Sequence, residues 1–284
     1  MRTEHVPSRR AEVSGRAPAV LVGLAVLLGA AFVLAPGRLA GIGTRGGPSS
    51  RGGLVDGLSP AFVSYWESGD RRVPADLQRL VDYWSRFHVV KGVLSAALLI
   101  VLVALAVRLW KSFLRPGRRG DGGVAVAAVS VSVLALVSLA ALMANVQGAM
   151  APFSSVTSLL PLGEPHGRLA DAIGQIEQGL AHYPGTGGRN APALEAMVDD
   201  FGWYHAVLAV LASVVAVAVT VLSVLAWRRF ATAHRSEVRI RRTMRWFGVL
   251  SVLLALMAAV VALANAGTAA DPAPALLGFY QGGV

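Results

Sequence analysis

Five apolar stretches dominate this chain: residues 17–35, 89–107, 124–144, 204–227 and 247–264. None contains Asp, Glu or Arg, and the one lysine among them, Lys91, lies near an end. Each is close to the ~20 residues an α-helix needs to cross a hydrocarbon core of ~30 Å. Such a core offers the backbone no water, so a spanning segment must satisfy its peptide groups internally, as a helix does. A buried helix of a soluble protein shows a polar stripe, and these stretches show none. The expected fold class is therefore all-α: a polytopic helical membrane protein of about five transmembrane helices.

The polar remainder supports this. Only 15% of residues are charged, the mean hydropathy is +0.58, and there is no cysteine. Disulfides, thiolate metal sites and cysteine nucleophiles are thereby excluded. The net charge of +10 could suggest nucleic acid, but the charges lie in short stretches between apolar runs, not on one folded basic face. Nucleic acid is not an expected partner. Arginine outnumbers lysine 24 to 2, and with the Ala, Val and Gly excess this suggests a GC-rich bacterial genome.

Sixteen of the 26 basic residues fall in three places: the N-terminal segment, the connection after the second stretch, and the connection after the fourth. The last of these holds Arg228, Arg229, Arg235, Arg239, Arg241, Arg242 and Arg245. Arginine-dense connections stay on the cytoplasmic side. The expectation is a bacterial cell-membrane protein with its N-terminus in the cytoplasm and its C-terminus outside. The cytoplasmic basic loops are expected to meet anionic lipid. The weak point is the stretch between the first and second spans, residues 36–87, where seven arginines are partly balanced by Asp56, Glu67, Asp70, Asp76 and Asp82.

The expected organisation is a basic N-terminus (1–16), a transmembrane anchor (17–35), an extracytoplasmic segment (36–76), a first repeat with two spans (77–152), an extracytoplasmic amphipathic helix with loops (153–193), a second repeat with two spans (194–272), and an outer tail (273–284). Residues 17–35 have a second reading, as a signal peptide, which Ser8-Arg9-Arg10 would favour and Pro36 opposes. Outside the spans, Ser59-Pro60 reads as a helix start. Leu77, Leu80, Val81, Trp84 and His88 have helical spacing and lead into the second span. Leu169, Ile173, Ile176 and Leu180 mark another helix, and Leu194, Met197, Val198 and Phe201 a third that continues into the fourth span. Residues 41–53 and 184–189 are glycine-rich and read as loops, and the glycines of 117–123 lack the lysine of a phosphate loop.

The two repeats match without a gap from 77–113 to 194–230, at an offset of 117. The informative pairs are Asp82/Asp199, Trp84/Phe201, Phe87/Tyr204, His88/His205, Trp110/Trp227 and Phe113/Phe230. The following spans align at an offset of 120, pairing Asn145 with Asn265 and Pro152 with Pro272. Both copies enter from the same side, which makes them a two-fold parallel internal repeat.

His88 and His205 are the sharpest candidate site. The functional reading is a shared metal site at the outer surface, helped by carboxylates such as Asp82, Asp199 and Asp200. The plainer reading is interfacial anchoring among aromatic side chains. Six helical steps rotate by about 240°, so Asp82 and Asp199 face away from the histidines that follow them. His166 and His182 flank one helix, too far apart to share a metal along a straight rod. Asn145 and Asn265 read as helix terminators. Ser130, Ser132, Ser138, Ser213, Thr220, Ser223 and Ser251 should bond backbone or neighbouring helices. No ionisable group lies mid-span, which argues against an ion-coupled transporter. Nothing calls for a cofactor, and no motif marks a catalytic residue.

The exit motif, Ala264-Asn265 followed by Asp271-Pro272-Ala273-Pro274-Ala275-Leu276-Leu277-Gly278-Phe279-Tyr280, resembles the tail of uncharacterised multi-pass membrane proteins of Streptomyces-type actinobacteria. The resemblance implies a membrane location and no particular activity. The leading expectation is a non-enzymatic structural protein whose extracytoplasmic helices meet a protein partner or lipid. The alternatives are a membrane enzyme or metal-handling protein using an outer His/Asp site, and a passive channel or transporter.

Overall fold

The computed structural model describes residues 10–42, 47–48, 50–115, 122–184 and 190–282, with side chains from residue 17 onward. Most of the basic N-terminus, most of the 117–123 and 184–189 glycine segments, and part of 41–53 lie outside the described residues. Among those described there are ten helices and no strand. In order they are α1 (Arg10–Leu34), α2 (Pro36–Ala40), α3 (Arg51–Ser68), α4 (Ala75–Phe113), α5 (Gly122–Met150), α6 (Pro152–Thr157), α7 (Arg168–Ala181), α8 (Pro192–Thr232), α9 (Val238–Ala270) and α10 (Pro272–Tyr280). Five of them, α1, α4, α5, α8 and α9, are long and apolar enough to cross a membrane. Much of their apolar surface is left bare: Ile100 is 70% exposed, Val217 65% and Leu263 73%, while Val101, Leu102 and Leu105 on α4 are covered. A continuous apolar surface of that kind is stable in lipid and not in water. The chain is a multi-pass helical membrane protein.

Two compact units divide the chain, one formed by Met1–Ala35 with Lys91–Leu142, the other by Pro36–Val90 with Met143–Val284. In the first, hydroxyls join helices. Ser138 on α5 donates to the Ser95 carbonyl on α4 (3.0 Å), and Ser95 is itself buried. The Trp110 indole donates to Ser132 Oγ (3.1 Å), which bonds its own Ala128 carbonyl. Lys91 Nζ sits 4.4 Å from the Phe32 ring centroid of α1, a cation–π contact.

The second unit holds a large apolar core, and no spanning stretch contributes to it. Leu54, Leu58, Phe62 and Tyr65 of α3 meet Leu77, Val81 and Trp84 of α4, Ile173 and Ile176 of α7, Met197 and Val198 of α8, and Leu276 and Tyr280 of α10. The amphipathic faces read from α4, α7 and α8 are the faces that pack. Polar contacts lock the same helices. The Trp66 indole donates to Gln175 Oε1 (2.9 Å), that of Trp84 to Ser155 Oγ (2.9 Å), and Tyr65 Oη to the Ala193 carbonyl (3.3 Å). Arg71 pairs with Asp199 and lies 3.7 Å from Glu195, while Arg168 grips Glu67 through two bonds.

Two local expectations are corrected. Helix α3 does not start at Ser59-Pro60. It starts at Arg51, where Ser50 Oγ accepts from the Gly53 amide (3.2 Å), and Pro60 lies inside it. Burial of Leu54 and Leu58 outweighs the weak helical preference of the neighbouring glycines and the bond lost at Pro60. Nor do Asn145 and Asn265 end their helices, which run on to Met150 and Ala270. The breaks come at Ala151 (φ −130°, ψ 67°) and Asp271 (φ −138°, ψ 82°), each followed by a proline in the first position of the next helix.

Candidate functional site

His88 and His205 occupy matching surroundings. On a helix, residues four apart share a face, so Trp84 lies against His88 and Phe201 against His205, at centroid separations of 4.7 and 4.6 Å. The preceding residue supplies a second ring, Phe87 at 5.6 Å and Tyr204 at 5.5 Å. All four contacts are edge-on or nearly so. Each histidine is thus fixed by its own helix before any other helix is considered.

The following helix supplies the polar partner. His88 Nδ1 lies 3.0 Å from Asn145 Oδ1, and His205 Nδ1 lies 2.7 Å from Asn265 Oδ1. The Asn265 amide nitrogen is committed to the Val261 carbonyl (2.8 Å), so its oxygen faces the histidine as acceptor. The imidazole therefore donates from Nδ1. Gly148, three residues beyond Asn145, is the floor under His88: a Cβ there would stand 2.8 Å from three ring atoms. Position 268, its counterpart at the offset of 120, is a half-buried threonine bonded to the Ala264 carbonyl. The two sites share their bond and differ in their floor.

The remaining candidates separate. Asp82 is exposed and accepts from Gln78 Nε2 (2.7 Å), while Asp199 pairs with Arg71. Neither is bonded to a histidine, in keeping with the six-residue rotation. Asp200 does something the sequence did not suggest: it accepts from the backbone amide (2.8 Å) and hydroxyl (2.6 Å) of Ser154, capping α6 from another helix. His182 bonds the Gln178 carbonyl at the end of α7, and His166 is exposed. Among the described residues, no three His, Asp or Glu side chains are grouped as ligands of one metal ion. Beside the second site an open groove of about 510 Å³ is lined by Tyr183, Asp199, Gly202, Trp203, Asp271 and Pro272. Trp203 is fixed there by donating to the Met150 carbonyl (3.0 Å).

Burial also shifts the tyrosines of the core. Tyr65 is pushed up to about 12, chiefly by desolvation, with Asp200 adding to the shift and Arg71 opposing it. Tyr280 is raised further, again by burial. Both are neutral at ordinary pH and serve as apolar rings with one polar atom.

At the other end of each hairpin, matching rings recur. Trp110 and Phe113 stand 5.8 Å apart at 81°, and Trp227 and Phe230 stand 5.8 Å apart at 89°. Trp227 packs against Gly248 so closely that a Cβ would stand 2.7 Å from its ring. Comparison with protein-family models, curated proteins and solved structures finds no match to this chain.

Proposed function

We propose that this chain is a non-enzymatic protein of a bacterial plasma membrane, in which spanning helices carry a folded extracytoplasmic helical cap that engages a partner. The observation that carries this reading is the position of the core: the segments between the spans bury the large side chains, and the spans leave most of theirs bare. Loops that merely joined membrane helices would need no such core. The N-terminus is placed in the cytoplasm and the C-terminus outside. Charge supports this: only nine of the 26 Arg and Lys residues lie in the stretches between spans assigned to the outside. The arginine-rich turns lie on the other side, against anionic lipid.

The two hairpins are copies of one duplicated module. Support comes from the paired His–Asn bonds, the paired ring contacts, and the paired breaks at Ala151 and Asp271. Absence of charge at mid-span favours a scaffold over an ion-coupled carrier.

Tags at the two ends should report opposite compartments, and both ends on one side would refute the orientation. Replacing exposed cap residues on α3 and α7 should weaken capture of a partner crosslinked in the native membrane; unchanged crosslinks would count against the scaffold. Metal analysis of the purified protein, with His88→Ala and His205→Ala together, separates the scaffold from a metal-handling protein.

A further inference from the structure

We propose that the arginine-rich end of the α8–α9 hairpin binds an anionic phospholipid carrying two phosphates on one headgroup. The proposal deepens the lipid contact above and rests on that turn lying at a membrane surface.

The turn is a built structure. The Ala233 amide donates to the Arg229 carbonyl (3.1 Å), the Glu237 amide to the His234 carbonyl (2.9 Å), and the His234 amide to Glu237 Oε2 (3.0 Å). Arg241 closes α8 by donating from Nη1 to the carbonyls of Phe230 (3.2 Å) and Ala233 (3.1 Å), with its guanidinium 4.5 Å from the Phe230 ring centroid. One arginine is thus structural.

Arg228, Arg229, Arg235, Arg242 and Arg245 are different. All five are exposed, and among the described residues none forms an ion pair. The only carboxylate in 228–245, Glu237, is engaged with the turn backbone. Such a surplus of like charge in one hairpin end is self-repelling unless anions neutralise it.

The register sets where that anion sits. Ser223 Oγ donates to the Gly248 carbonyl (3.4 Å), Trp227 covers Gly248, and Arg241 reaches Phe230. Arg228 and Arg229 on α8 therefore lie at about the same depth as Arg242 and Arg245 on α9. Trp227 and Trp246, both partly exposed, lie at that depth too. Indoles at the end of an apolar span mark the headgroup level, which favours lipid over a peptide or nucleic acid. Arginine grips phosphate through two parallel bonds, so two pairs on helices about 8–10 Å apart suit two linked phosphates better than one.

The test uses the full chain in a neutral detergent, with diphosphatidylglycerol or phosphatidylglycerol added at equal phosphate and bound lipid counted by native mass spectrometry. The diphosphate lipid should be retained preferentially. Each change among Arg228→Gln, Arg229→Gln, Arg242→Gln and Arg245→Gln should weaken it about fivefold. Arg79→Gln, on α4 far along the chain, should change nothing. Equal retention of the two lipids, or retention undiminished in the single variants and in a quadruple variant of unchanged helicity, overturns the proposal. Because the chain has no cysteine, Ser236→Cys with an impermeant maleimide reports the side of the turn. Labelling from outside the cell would refute the orientation, whereas the lipid preference is decided by retention alone.

Discussion

The bond between His205 and Asn265 joins α8 to α9 with a defined direction, because the asparagine's nitrogen is held by Val261 and leaves its oxygen for the ring. Nδ1 donates the proton and the asparagine oxygen accepts it. The pair is a fastener between two neighbouring helices, and its counterpart, His88 with Asn145, does the same for α4 and α5.

His205→Ala and Asn265→Ala should each lower thermal stability by about 1 kcal/mol or somewhat more. The double variant should cost less than the sum, with a coupling of about 0.5–1.5 kcal/mol. A double-mutant cycle from unfolding in detergent measures this. Strict additivity would show that the bond contributes nothing.

Gly148→Ala should be among the most damaging small substitutions. The new methyl group would stand 2.8 Å from the His88 ring and displace it from Asn145, at a cost of about 1–3 kcal/mol. Thr268→Ala at the matching position should stay within about 0.5 kcal/mol of wild type. Unfolding curves of the two variants test the contrast.

Gly248→Ala should separate α8 from α9, because Trp227 leaves no room for a side chain there. A loss of about 1–3 kcal/mol is expected, and Trp227→Leu in the same chain should recover part of it. If the double variant melted lower than Gly248→Ala alone, the contact would not be the cause.

Asp200→Ala should free both the Ser154 amide and its hydroxyl, destabilising by about 1–2 kcal/mol. Asp200→Asn retains an acceptor oxygen and should cost less. Hydrogen exchange should locate the loss in α6, with faster exchange at Ser154, and leave the α9 amides unchanged.

The core should weaken in alkali. Tyr65 titrates at about 12 when folded and near 10 when exposed, so the unfolded chain loses its proton first as pH rises. The contribution is intact below pH 10 and is lost between about 10 and 12. Tyr280, also raised, adds in the same direction. Tyr65→Phe should flatten the fall in melting temperature across this range, and an unchanged slope would contradict the assignment.

Much of the architecture was legible in the chain because it is written in local patterns. Runs of about twenty uncharged residues mark the five long apolar helices, and helical spacing from Leu77 to Trp84 and from Leu169 to Leu180 marks the faces that later prove buried. The bonding habits of Ser132, Ser213, Thr220 and Ser251 are local as well, each reaching back one turn. The start of α3 was not legible, since Ser59-Pro60 is a strong local signal and the burial of Leu54 and Leu58 depends on α4 and α7.

By itself, the sequence determined the helical class and the number of long apolar helices, and it singled out His88 and His205 as residues to compare. Only the tertiary structure decided that each histidine meets an asparagine 57 or 60 residues further on, that Asp200 caps α6, and that Gly148 must lack a side chain. The difference is physical. Periodicity and hydropathy act over one or two turns of chain, whereas a hydrogen bond between helices depends on how two surfaces come to rest against each other.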